Sequence, residues 1–219
     1  MTGLAHRESE EVAALSVFPG MRLVGAVVAL LAFGSSASAD DVVTLPVAAA
    51  VVHVDGQPVV DRTWMDERID WANRIFAPAD IAFELVDVRP LDEAHRKLES
   101  RRDRHALGAE LRPRVINWFV VEALKDVDVE DRWIRGVHWR PRGYPEGSHF
   151  VIMSQIAGST VLAHELGHFF GNRRHPDTPG NIMSYQRGDV EPFFDDTQLR
   201  RIREHRRRFL RTRELIPVE

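Results

Sequence analysis

The chain has 219 residues, 44% of them hydrophobic and 28% charged, with a formal net charge of −4, ten histidines and no cysteine. These figures exclude a disordered, collagen-like or coiled-coil chain, and with them disulfides, thiolate metal sites and a cysteine nucleophile. The slight acidic excess gives no field for whole-protein capture of nucleic acid, and any metal must rest on His, Asp or Glu.

The N-terminal segment reads as an export signal. Arg22 precedes the apolar run Leu23 to Phe33, which is too short to span about 30 Å of hydrocarbon comfortably, and Ala37-Ser38-Ala39 follows as a signal-peptidase site. Cleavage is expected after Ala39, with Met21 as the true start and residues 1–20 a dispensable extension. A short N-terminal anchor is the alternative. The expected product is secreted or periplasmic, without a membrane span after cleavage, and residues 40–219 form its folded domain. Lacking disulfides, such a chain must be held by core packing and bound metal.

Val42 to Val54 reads as a buried strand ending in an Asp55-Gly56 turn. Thr63 is placed to cap a helix whose apolar face is Met65, Ile69, Ala72 and Phe76, and Pro78 ends it. Ile81 to Val88 alternates as a second strand. Residues 91–107 are heavily charged, with a weak stripe of Leu91, Ala94, Leu98 and Leu107 that predicts a solvated helix or a loop. Arg114 to Leu124 has the near-continuous apolar run of a central strand buried on both faces. Shorter strands are predicted over Trp133 to Trp139 and His149 to Ser154. Between them, Asp126, Asp128, Glu130 and Asp131 offer ligands for calcium, but their spacing matches no EF-hand loop and fits a solvated acidic turn.

Ser159 is a candidate cap for a helix running to Phe170, with Gly171 as its stop. On that helix stands His164-Glu165-Leu166-Gly167-His168. Imidazoles one turn apart reach one Zn²⁺ at about 2.0–2.1 Å, and Glu165 projects beside the open coordination position. Zinc there lowers the pKa of a bound water toward about 7 and polarises a scissile carbonyl, with Glu165 as general base. Gly171 follows three residues after His168, then His175, then Asn181-Ile182-Met183-Ser184-Tyr185. His53, His95, His105, His138, His149 and His205 have no ligand spacing and read as structural or solvent-facing.

The run from His164 to Tyr185 resembles the metzincin clan of zinc metalloendopeptidases, whose pattern is His-Glu-x-x-His-x-x-Gly-x-x-His followed by a methionine-containing turn. His164, Glu165, His168 and Gly171 are in register, and Met183-Ser184-Tyr185 is similar to the Met-x-Tyr form of astacin-like and serralysin-like members. The resemblance implies that Tyr185 ligates zinc or stabilises the oxyanion. One departure concerns the third ligand. The family position holds Arg174, whose guanidinium cannot ligate, and His175 stands one residue later. His175 is assigned, with a one-residue bulge after Gly171. Asp177 is the second candidate, and failing both, a gluzincin arrangement would use Glu191 or Glu204.

The segment Arg200 to Arg213 contains eight arginines, but Leu199, Ile202, Phe209 and Leu210 give it a buried stripe and Asp195-Asp196-Thr197 caps it, so it reads as a docked helix with a basic outer face. The resemblance implies an α+β, metzincin-like zincin. Residues 40–171 would form an upper subdomain with a mixed twisted sheet and the active-site helix above a cleft. Residues 172–219 would form a small lower subdomain with the Met-turn, a specificity wall from Tyr185 to Phe194 and the terminal helix. The edge strand near Ile134 to Trp139 would pair with an extended polypeptide substrate. The expected activity is zinc-dependent hydrolysis of peptide bonds. The rival is a non-catalytic secreted metal-binding or protein-binding module that keeps the fold, against which the retention of Glu165 argues.

Overall fold

The computed structural model describes residues 42–141, 148–186 and 188–219, so the expected signal peptide, its cleavage after Ala39 and the Met21 start lie outside the described residues. Within them the chain runs β1 (Val43–Val54), β2 (Gln57–Pro58), α1 (Arg62–Phe76), β3 (Ile81–Leu91), β4 (Lys97–Leu98), α2 (Arg101–Ala106), β5 (Ile116–Val121), β6 (Ala123–Leu124), β7 (Gly136–Trp139), β8 (Phe150–Ser154), α3 (Val161–Phe169) and α4 (Asp196–Thr212). No helix among the described residues is long and apolar enough to cross a membrane.

The main sheet is mixed. β1 lies parallel to both β3 and β5, β5 is parallel to β8, and β7 closes the far end antiparallel to β8. Strand alternation splits its side chains into two packed layers. Val47, Ala49, Val51, Trp118, Val120, Val151 and Met153 face α1, α3 and α4, where Phe76, Leu166, Phe170 and Phe209 complete the larger core. Ala50, Val52, Phe119, Val121 and Ile152 face the other way onto Leu98, Leu107 and Leu124. The apolar run in β5 is thus a strand covered on both faces.

Several local expectations change. Asp61, not Thr63, caps α1, accepting the Trp64 amide at 2.7 Å, because its side chain stands three residues before the first free N–H it can reach. Segment 91–107 is more ordered and more buried than its charge suggests. It contains β4, which pairs with β6, and α2, opened by a capping box between Ser100 and Asp103, while Leu98, Leu107 and Arg104 are all buried. Only Gly136–Trp139 of the 133–139 stretch is strand in the main sheet, since Trp133 and Ile134 pair back onto Lys125 and Leu124. Asp126 spends its carboxylate on the Asp128 and Val129 amides and on Arg132, which makes the acidic turn self-satisfied.

The C-terminal segment fastens the fold from outside. The Ile216 amide donates to Arg114 at 3.1 Å and the Val218 amide to Thr44 at 3.0 Å. α4 carries its own capping box, Asp195 with Gln198, and buries Ile202 and Phe209 as its periodicity requires. Its buried Arg206 donates to the carbonyl of Asp80 at 2.8 Å, tying it to the turn before β3.

Candidate metal centre

α3 begins at Thr160 with no side-chain cap, so Ser159 does not act as the N-cap; burial of its apolar surround, rather than a terminal hydrogen bond, holds the helix. Leu162, Ala163, Leu166 and Phe169 are buried, which turns His164 and His168 along the remaining stripe. The helix stops in a Schellman arrangement. The Asn172 amide donates to Gly167 at 3.0 Å and the Gly171 amide to His168 at 2.9 Å, with Gly171 at φ 91°. Side chains rarely adopt that φ, and the His205 ring also occupies the space a Cβ would need.

The reversal after Gly171 returns His175 to the helix. One nitrogen from each of His164, His168 and His175 lies within 4.8 Å of the other two, and the His168 and His175 Nε2 atoms are 3.1 Å apart. Two ligands of a tetrahedral zinc at about 2.0–2.1 Å would be separated by little more than that. The tautomers fit as well. His164 Nδ1 donates to the Ile182 carbonyl at 2.8 Å and His168 Nδ1 to the Asn172 carbonyl at 2.6 Å, so each Nε2 is left as a lone pair. Burial and the neighbouring imidazoles push His168 down to about 4, and burial lowers His175 too, keeping both neutral at ordinary pH.

The loop thus brings His175, rather than Arg174, into the imidazole cluster. Asp177 instead accepts a hydrogen bond from Gln186, and Glu191 and Glu204 are exposed and outside the imidazole cluster.

Met183, next to the Ile182 carbonyl that holds His164, is fully buried. Its amide donates to Asn181 Oδ1 at 2.9 Å, and the Asn181 amide group donates to Gln198 Oε1 at 2.8 Å, so the turn is bolted to the capping box of α4. A Cβ on Gly167 would overlap the Met183 sulfur and lie 3.1 Å from Phe194. Gly167→Ala is therefore expected to lose about 1 kcal/mol in urea unfolding, because overpacking of roughly 1–3 kcal/mol outweighs the gain of about 1 kcal/mol in helix propensity. Tyr185 is exposed, and its ring stacks on His175 at 4.3 Å between centroids.

This fold is shared with solved proteins. It aligns with mature mirolysin from Tannerella forsythia at a TM-score of 0.57 and 14% identity, over 80% of this chain and 99% of that one. It aligns with archaemetzincin from Methanopyrus kandleri at a TM-score of 0.52 and 13% identity, over 75% of this chain and 96% of that one. The chain has the metzincin-type fold. Metalloproteinase-II from Bacteroides fragilis shares it at a TM-score of 0.52 and 15% identity, over 75% of this chain but only 53% of that longer one. No protein-family model and no curated protein sequence matches the chain.

In this metzincin-type frame Glu165 lies inside the protein, 6% exposed, beside Gly136 at the start of the edge strand. Burial pushes its carboxyl up to about 8, opposed by the His138 backbone amide and by the charge of Arg104. A cleft of about 1040 Å³ joins Glu165 and the three imidazoles to Tyr185 and to β7.

Sequence reasoning missed the layer behind the edge strand. His138 Nε2 and His149 Nδ1 share a hydrogen bond of 2.7 Å, and His149 Nε2 donates to Glu214 at 2.9 Å while its ring stacks on Phe169. Three segments meet here, Glu214 standing 65 residues beyond His149, and no local spacing announces it. Burial, with Arg140 and other cations nearby, holds both imidazoles below their usual range, most strongly at His138. The sign follows: in the unfolded chain these imidazoles take up protons below about pH 6.5 while the folded pair resists, so their stabilisation is full above that pH and is lost as pH falls toward the folded values. His149→Phe, which keeps the stack on Phe169, is expected to flatten the fall in the urea midpoint between about pH 6.5 and 5.

Proposed function

We propose that the chain is an exported zinc-dependent endopeptidase, with His164, His168 and His175 as metal ligands and Glu165 as general base. The observation that carries this reading is the convergence of three imidazoles beside a buried carboxylate, at the edge of a sheet whose last strand has no partner on its outer side among the described residues. When bound there, zinc would supply an acidified water and a Lewis acid for the scissile carbonyl, and its charge would favour the ionised form of Glu165 against the cost of burial.

The protein's own groups do the rest. The outer edge of β7 offers backbone N–H and C=O groups to an extended peptide, which tolerates varied sequence. Glu165 takes a proton on the metal-facing side and delivers it to the leaving amine. Tyr185, stacked on His175 with its phenol in the cleft, is the donor proposed for the developing oxyanion. The helix α4, with seven arginines, is docked by Ile202 and Phe209, so its charge serves as an outer face and no nucleic-acid partner is proposed.

The test is a paired measurement of zinc content and of hydrolysis of unfolded casein. One zinc per chain, cleavage abolished by chelation and restored by Zn²⁺ supports the peptidase. A zinc-replete protein that cleaves neither casein nor a broad peptide library identifies the non-catalytic module instead.

A further inference from the structure

The cleft has an unusual charge balance for a chain of net charge −4. Among the described residues six arginines line it, against the carboxylates Asp126, Asp128 and Glu165. Two of these carboxylates are already neutralised, Asp126 by Arg132 and Asp128 by Arg101, and Arg208 is engaged with Glu214 at 3.7 Å. Arg104, Arg135, Arg140 and Arg173 make no ion pair among the described residues. The uncompensated charge of these cleft residues is therefore positive.

Arg104 is the decisive member. It is 2% exposed, yet no carboxylate meets it: one terminal nitrogen donates to the Lys125 carbonyl at 2.5 Å, the guanidinium lies 4.8 Å from the Trp139 ring centroid, and Nε is buried without a partner. Asp126, Asp128 and Glu165 favour its charge only from a distance, so burying this guanidinium without a contacting carboxylate is costly, and an anion in the cleft would offset that cost. Arg104 lies in the wall of the cleft.

Strand geometry says where that anion would come from. Val137 and Trp139 face the layer that holds Arg104, whereas Gly136 and His138 face α3. A peptide added to β7 continues this alternation, so every second side chain passes on the Arg104 side. Antiparallel addition, the more stable pairing per residue, places the N-terminal half of the peptide toward Trp139 and Arg140, where Arg173 also lies close enough to repel a proton from His138.

We infer that the cleft selects acidic polypeptide segments, with Glu or Asp side chains on the N-terminal side of the scissile bond received by Arg104, Arg140 and Arg173. This rests on the peptidase reading of the site, but recognition and cleavage are separable by experiment. The probes are three quenched fluorescent peptides with one alanine-leucine core, carrying three Glu, three Gln or three Lys residues N-terminal to it, and a fourth with the Glu residues moved to the C-terminal side. Binding is read by anisotropy on zinc-loaded Glu165→Gln protein, and cleavage on the zinc-loaded wild type.

The N-terminal Glu peptide is expected to bind about 10-fold tighter than the Gln peptide and to be cleaved with a correspondingly higher kcat/KM, the Lys peptide ranking last. The margin should shrink as salt rises from about 50 to about 500 mM. Arg104→Gln, and independently the surface pair Arg140→Gln with Arg173→Gln, should each reduce the Glu-to-Gln ratio. The exposed pair keeps the test valid if the buried variant fails to fold. Equal binding of the Glu, Gln and Lys peptides, or preference for Lys, overturns the inference, and tighter binding of the C-terminal Glu peptide overturns its direction. Charge-selective binding without cleavage of any peptide would leave the recognition standing and remove the peptidase reading, and charge-blind cleavage would do the reverse.

Discussion

Zinc-loaded Glu165→Gln is expected to hydrolyse casein and peptides roughly 10²–10⁴-fold more slowly than the wild type while retaining one zinc per chain. The substitution preserves the size of the side chain and its contact with the His138 amide, and it leaves His164, His168 and His175 untouched. What it removes is the group proposed to carry the proton. The replacement amide carries no charge, so the variant is also relieved of the desolvation cost borne by the buried Glu165 carboxylate, and its thermal stability should equal or exceed that of the wild type. A fall in kcat with unchanged zinc content and an unchanged or higher Tm identifies a base. A fall in zinc content or in Tm would instead make Glu165 a structural residue.

The second large effect concerns the displaced ligand. His175→Ala is expected to weaken zinc binding by more than about 100-fold, beyond the 10–100-fold typical of losing a supporting hydrogen bond, since it leaves only His164 and His168. Asp177→Ala should change affinity little, because the Asp177 carboxylate is occupied by Gln186 and lies outside the imidazole cluster. Competition with a chromophoric chelator measures both. Retention of full affinity by His175→Ala together with its loss in Asp177→Ala would reverse the assignment. The contrast also tests the loop, for the Schellman turn at Gly171 is what gives the chain room for the extra residue.

Much of the architecture was legible because it is written in local periodicity. The two-sided apolar run of 114–124, the four-residue and three-residue steps of Met65, Ile69, Ala72 and Phe76, and the stop at Gly171 each report a short-range constraint. The pairing of His164 with His168 is likewise a property of one helical turn. What escaped was set by tertiary contact. Arg104 sits in a charged stretch that reads as solvated, yet the Trp139 ring and a backbone carbonyl draw it into the interior. His138, His149 and Glu214 come from three segments and meet only after the sheet and α4 are assembled. Thr63 and Asp61 are both good caps, and the choice between them depends on where the turn from β2 delivers the chain.

The fastening made by residues 214–218 has a consequence for timing. Those residues are synthesised after every other described part of the fold, yet they pin β1 at Thr44, the segment before β5 at Arg114 and, through His149 and His138, the edge strand itself. A chain still being synthesised can already carry the three histidines while the strand beside them is unsecured. The edge strand is therefore secured only once residues 214–218 have been made, later than the three histidines that stand beside it.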